Sequence, residues 1–372
     1  MKSHLHQKIY FPNLNGFRFF AAILVLVHHY EMFKTEFLMS NYFNLPFFRD
    51  VGQYAVTFFF VLSGFLITYL LLIEKEKNKT ISVKKFYWRR ILRIWPLYYF
   101  IILLGLLVLP QLSMFHSVST IVVPPSRTFE IWGMYLFFLP NLAFVTIHPM
   151  LTFVSATWSI GVEEQFYAIW PVLIKKFRTL WLPLFLVIVI YILIKVLFTA
   201  FASTNEFISI AKDFWHFTRI DCMAIGGIFA LLHYTRSDVL KLLYTPLTQV
   251  LAVVFTIGML VTGFKVPFLY HEVYSLFFGI IILNAACNTL TLFKLENKYL
   301  NYLGEISYGI YMFHPICVYI LVSQVQSYKT LSLFENIALL LAAALLTVAT
   351  AALSFKYMES YFLKLKSKKE VI

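Results

Sequence analysis

Apolar residues in this chain come in long runs separated by short polar or basic stretches. Ten such runs, at roughly 14–33, 54–73, 94–110, 157–174, 180–200, 215–233, 245–263, 268–290, 303–325 and 336–358, are each near the length a helix needs to cross a bilayer. The pattern predicts an all-α, polytopic helical membrane protein of about ten transmembrane helices. An eleventh apolar stretch, 130–147, is interrupted by Pro140-Asn141. It is expected to form a re-entrant or interfacial helix, a shape tolerated where it is buried or lines a cavity. The first run cannot be a cleaved signal peptide, because it holds Arg18 and His29 and no small-residue cleavage site follows it.

Charge orients these runs. Segment 74–93 carries eight Lys/Arg against two Glu, and placing it in the cytoplasm puts 22 of the 31 basic residues inside. Both termini then lie inside as well, with a basic tail at 359–372. Counting 130–147 as a crossing would invert every later loop. The chain reads as one integral-membrane domain over 1–372, with neither an appended soluble domain nor an internal repeat. Composition agrees: 60% hydrophobic, 19% aromatic, only 13% charged, with mean hydropathy +0.77. The net charge of +13 is accounted for by basic loops that orient the protein and attract anionic lipid. No nucleic-acid-binding module is present. Cys222, Cys287 and Cys317 fall in apolar runs at unrelated spacings, which predicts buried packing and neither a metal site nor a disulfide framework.

Ionisable groups inside such runs are costly and point to function. Arg18 and His29 are eleven residues apart, which turns a helix about 1,100°, roughly 20° past three full turns, with a rise of roughly 16 Å. They share one stripe, and His28 lies about 100° off it. Arg89, Arg90 and Arg93 fall within one turn at the mouth of the third run. Guanidinium groups so close suit a phosphate held between them, or equally an anchor on lipid headgroups. Glu163-Glu164-Gln165, following Trp158 and Ser159, opens the fourth run. Its carboxylates either stabilise the helix N-terminus or act at a polar cavity, and at most one of them faces inward. Arg219 and Asp221 diverge on a helix and are expected to form ion pairs with other spans. His314, before Pro315, shares a face with Ser307 and Tyr311; Pro315 frees the Tyr311 carbonyl, and a satisfied structural histidine is the expectation there. Lys195 is expected to snorkel outward, and Ser63-Gly64 to permit close helix contact.

With these stretches in hand, the chain resembles a bacterial membrane acyltransferase of the acyltransferase 3 family. The resemblance runs from Leu14 to Glu359. It is carried by Arg18 and His29 (arginine, ten residues, histidine) and by the phenylalanine-rich run Phe58 to Phe65. Next come Arg89, Arg90, Arg93, Ile94 and Pro96, then Trp158 to Tyr167. Arg219 with Asp221, and finally Gly304, Ser307, Tyr308, Tyr311, His314 and Pro315, complete it. The family's Gly and Asp before the phenylalanine run are Ala55 and Thr57 here, and Ser-Tyr follows Glu359. The resemblance implies O-acylation, most often O-acetylation, of a cell-envelope carbohydrate or glycolipid at the bacterial inner membrane. It implies cytoplasmic acetyl-CoA or another acyl-CoA as donor substrate, and no tightly bound cofactor or metal. Many relatives add an extracytoplasmic SGNH-type domain; without one, the protein is expected to complete transfer alone or with a partner.

On that basis Arg89, Arg90 and Arg93 would hold the phosphates of CoA, and Arg18 its pantetheine or pyrophosphate. His29 would act as general base or transient acyl carrier, and Glu163 or Glu164 would orient it or the acceptor. Two other classes predict different behaviour: a transporter of an anionic or proton-coupled solute, and a catalytically silent scaffold.

Overall fold

The computed structural model describes residues 9–115, 125–147, 152–203 and 205–368. Among them there is no strand, and the chain is an all-α polytopic membrane protein. Its helices in chain order are α1 (Leu14–Glu36), α2 (Pro46–Asn78), α3 (Val83–Leu103), α4 (Thr128–Leu136), α5 (Pro140–Thr146), α6 (Trp158–Lys176), α7 (Trp181–Phe201) and α8 (Glu206–Thr218). They continue with α9 (Ile220–Tyr234), α10 (Val239–Leu243), α11 (Pro246–Thr262), α12 (Tyr270–Cys287), α13 (Lys298–Glu305), α14 (Ser307–Gln324), α15 (Leu333–Ser354) and α16 (Ser360–Lys368).

Each of the ten apolar runs is largely helical, two of them across a break between consecutive helices, but length and composition alone qualify fewer as crossings. Five pass: α2, α3 with its extension to Gln111, α7, α12, and α15 with its extension to Leu365. A sixth follows if α13 and α14, bent by 66° at Ile306, form one span. Of the others, α1 and α6 carry ionisable groups within their apolar stretch, and α9 and α11 have only 15 and 17 residues. The run at 215–233 is not continuous either. Arg219 takes a left-handed backbone (φ 39°), ending α8 and turning the chain into α9.

The stretch 130–147 folds as two short helices, α4 of nine residues and α5 of seven, and neither could span a bilayer alone. Phe138, between them, also has positive φ (57°). The break is covered by protein: Gln165 Nε2 donates to Phe138 O and to Asn141 Oδ1, both at 2.9 Å. The freed backbone thus finds partners inside the bundle, as membrane depth demands. The stretch read as a basic tail begins differently from a solvated segment. Glu359 is buried at the end of a π-turn, and Ser360–Lys368 continue as a helix; residues 369–372 lie outside the described residues.

At the centre stands α2, mostly buried, whereas α7 and α15 are largely uncovered and turn Phe185, Leu193, Leu345 and Leu353 outward to lipid. The most extensive helix–helix contact joins α2 to α9, and two glycines explain it. A Cβ on Gly64 would sit 1.9 Å from the Met223 carbonyl oxygen, and one on Gly226 would sit 2.0 Å from that of Val61. The two backbones touch directly, the close approach that small residues allow between membrane helices. Gly226→Ala is therefore expected to lower unfolding stability by about 1–3 kcal/mol, as overpacking does. Unfolding in detergent micelles measures this, and parental stability would contradict the contact.

Candidate active site

Helix α1 sets the axis of the site. Near its first turns Arg18 donates to Asn15 Oδ1 (3.3 Å) and lies within electrostatic reach of Arg93, Arg90, Tyr167 and Glu163. Three further elements therefore bring charge to the Arg18 end: α3 supplies Arg90 and Arg93, α6 supplies Glu163 and Tyr167, and the π-turn after α15 supplies Glu359 beside Arg93. The Arg90 guanidinium stacks between the rings of Phe86 (5.7 Å) and Tyr167 (5.6 Å), and its buried Nε has no hydrogen-bond partner. A fork-shaped cation held by ring faces and left unsatisfied at a donor can still take an oxyanion.

Arg89 does not join this group. Its Nη2 is 3.1 Å from Glu74 Oε2, and the other oxygen of Glu74 accepts the Ser82 N–H (2.8 Å). Arg89 thus ties the turn between α2 and α3, because a carboxylate on the neighbouring helix stands opposite it. Of the three arginines of that turn, Arg90 and Arg93 lie within electrostatic reach of Arg18, and Arg89 is paired with Glu74.

The two adjacent glutamates separate clearly. Glu163 is clasped at both oxygens, by Ser63 Oγ (2.7 Å) and Tyr167 OH (3.1 Å), and faces the arginines. Glu164 accepts from Trp95 Nε1 (3.0 Å), stays within electrostatic reach of Arg90, and has its other oxygen buried without a partner. Capping is not the role of either, because both stand a turn or more beyond the first residue of α6. Trp158 is instead a wall, packed on Phe60 and Phe217 and under the Arg219 guanidinium (5.3 Å). On the next residue, Ser159 Oγ meets Tyr311 OH at 2.7 Å, and Tyr311 OH also reaches Ala156 O at 3.0 Å.

At the far end of the α1 stripe, His29 meets His314 of α14. Ring centroids are 4.7 Å apart at an interplanar angle of 66°, and His29 Nδ1 is 3.2 Å from His314 Nε2. Their partners assign the protons. His29 Nδ1 lies 2.9 Å from Val25 O, and His314 Nδ1 lies 2.6 Å from Tyr311 O. A carbonyl oxygen only accepts, so both imidazoles carry hydrogen on Nδ1. The Tyr311 carbonyl is available because Pro315 has no N–H to occupy it. His29 Nε2 then holds a free lone pair and makes no hydrogen bond among the described residues. His28 is structural, its Nδ1 on Phe48 O (2.9 Å) and its ring against Gly52.

Arg219 forms no ion pair among the described residues. Its Nη1 donates to Gln53 O (3.3 Å), its Nε to His216 O (3.3 Å), and the ring of Trp158 covers it. The interhelix ion pair of this region is Lys195 to Glu272 (2.7 Å), between α7 and α12. Lys195 therefore does not snorkel; Asp221 faces Glu272 and Lys195, with neither carboxylate oxygen in hydrogen-bond geometry. Sequence periodicity also passed over Trp95 and Glu359, and it gave Ser63 only a packing role. Only Glu359 offered a local signal, as a lone carboxylate closing an apolar run.

A family profile described as an acyltransferase domain matches residues 11–356. The chain belongs to the acyltransferase 3 family. Among its relatives, O-acetyltransferase OatA of Staphylococcus aureus is 24% identical over 96% of this chain and 58% of its own length. Putative peptidoglycan O-acetyltransferase YrhL of Bacillus subtilis is 26% identical over 94% of this chain and 54% of its own. Peptidoglycan O-acetyltransferase OatA of Listeria monocytogenes is 28% identical over 46% of this chain and 25% of its own. The chain thus spans about half the length of the curated relatives it matches over most of its own. No solved structure matches it significantly.

The Lys195–Glu272 pair gives a test of the outlying polar cluster. Lys195→Met alone leaves buried carboxylates uncompensated and is expected to cost about 3–5 kcal/mol of stability, most of it regained in the double variant Lys195→Met/Glu272→Leu. Chemical unfolding of the three proteins in micelles reads this; equal loss in the single and double variants would contradict it.

Proposed function

We propose that this protein is a membrane O-acyltransferase. It moves an acyl group, acetyl in the first instance, from acyl-CoA at the cytoplasmic, basic end to a hydroxyl of a cell-envelope carbohydrate or glycolipid. The observation that supports this best is the arrangement along α1. Arg18 joins Arg90 and Arg93 at one end, and the free Nε2 of His29 stands at the other, roughly 16 Å along the helix axis. The pantetheine arm of CoA has a similar reach, on the order of 15–20 Å, counted against the same helical rise. Relatives named as peptidoglycan O-acetyltransferases favour a cell-wall sugar as acceptor. Nothing in the family match favours a carrier.

In this mechanism Arg90, Arg93 and Arg18 hold the phosphates of the donor, and Arg89 has only its structural bond to Glu74. His29 Nε2 takes the proton of the acceptor hydroxyl, whose oxygen attacks the thioester carbonyl. The carbon–sulfur bond breaks, the ester forms, and the proton passes from His29 to the departing sulfur as CoA thiol. Glu163, held by Ser63 and Tyr167, balances the arginine cluster.

Purified protein given acetyl-CoA and an envelope glycan acceptor is expected to release free CoA thiol. His29→Ala is expected to lower that release by at least about 100-fold, the contribution of a general base, while remaining folded in the membrane. Near-parental thiol release from that variant would sink the scheme.

A further inference from the structure

The proposed mechanism uses His29 and leaves His314 without a task, although the geometry gives it one. His314 is fully buried, and a buried imidazole needs a reason to be there. Its Nδ1–H is spent on the Tyr311 carbonyl (2.6 Å), so its Nε2 is an acceptor, aimed at His29 Nδ1 at 3.2 Å. That carbonyl is free only because the next turn of α14 carries Pro315. The proline, the carbonyl and the ring therefore form one device that presents a neutral nitrogen lone pair to His29.

Taking His29 as the base, we propose that His314 is its positioning residue, accepting from His29 Nδ1–H and stabilising the imidazolium formed when Nε2 takes the acceptor's proton. The bookkeeping of bonds is simple. The hydroxyl O–H breaks and His29 Nε2–H forms, leaving His29 protonated at both nitrogens. Its Nδ1–H bond to His314 Nε2 then becomes charge-assisted and stronger. When Nε2 gives its proton to the CoA sulfur, the bond returns to its neutral form, and His314 itself gains or loses nothing. Val25 O shares the same Nδ1–H (2.9 Å), so the ring is held by two acceptors from two helices. The Val25 carbonyl comes from α1 itself and is fixed by that helix. His314 comes from α14, so it also sets how α1 and α14 meet at the reacting edge. Among the described residues, the side chains in electrostatic reach of His29 are His314 and His28, and neither is a carboxylate. A neutral acceptor here avoids burying an anion in the bilayer, where a carboxylate would be costly.

Two measurements test this. In 15N-histidine-labelled protein in liposomes, NMR is expected to show an N–H···N coupling that joins His29 Nδ1 to His314 Nε2, with hydrogen on Nδ1 of both rings. An Nε2–H tautomer at His29, or no coupling, overturns the proposal without any variant having to fold. In turnover, His314→Leu is expected to lower kcat by about 100-fold or more, in the range of acid–base contributions, with the donor KM within about twofold. His314→Gln, which keeps an acceptor oxygen, is expected to recover at least about tenfold of that loss. Parental kcat in His314→Leu, or equal loss in the Leu and Gln variants, would overturn the role of His314. Full activity in His29→Ala would instead remove the catalytic reading on which it rests.

Discussion

An ionisable side chain inside an apolar helix must find its partner on another helix, and this constraint shapes the whole bundle. Water cannot satisfy such a group, so each one fixes a contact between elements far apart in sequence. Glu163 is met by Ser63, a hundred residues away, and Lys195 by Glu272. His29 is met by His314, and Lys34 by Asn336. Helix α2 serves as the post on which many of these depend. Its Gly64 lets α9 come close, its Ser63 holds Glu163, and its Thr57 hydroxyl meets His271 and accepts from Arg219.

What could be read from the sequence was what a single helix determines. The Arg18–His29 stripe follows from helical periodicity, and one continuous helix, α1, carries both residues. Pro140-Asn141 announced a broken segment, and Pro315 announced a free carbonyl at Tyr311, which the His314 ring then takes. The close contact foreseen at Ser63-Gly64 is real at Gly64. All of these arise within a few turns of one element.

What could not be read was which helix stands opposite which. Arg89 looked equal to Arg90 and Arg93 until Glu74 appeared beside it on α2. Lys195 looked long enough to reach the surface, but its carboxylate partner lies on α12. Arg219 looked like half of an ion pair, whereas its backbone turns a corner and its guanidinium rests on Trp158 and carbonyl oxygens. Ser63 was seen only as small, because its hydroxyl matters only once α6 is beside it. The number of crossings has the same origin: α1 and α6 carry ionisable groups whose partners stand on other helices, so composition along one helix does not mark them as spans.

On the function proposed above, the Arg18 end of α1 binds a polyanionic donor through Arg18, Arg90 and Arg93 and without Arg89. Titration calorimetry of acetyl-CoA onto the purified protein in micelles tests it most directly. The account predicts that Arg90→Gln and Arg18→Gln each weaken binding by about 10- to 100-fold, the worth of a charge-assisted hydrogen bond, while Arg89→Gln binds within about threefold of the parent. Equal weakening by Arg89→Gln and Arg90→Gln, or parental affinity in Arg90→Gln and Arg18→Gln, would contradict it.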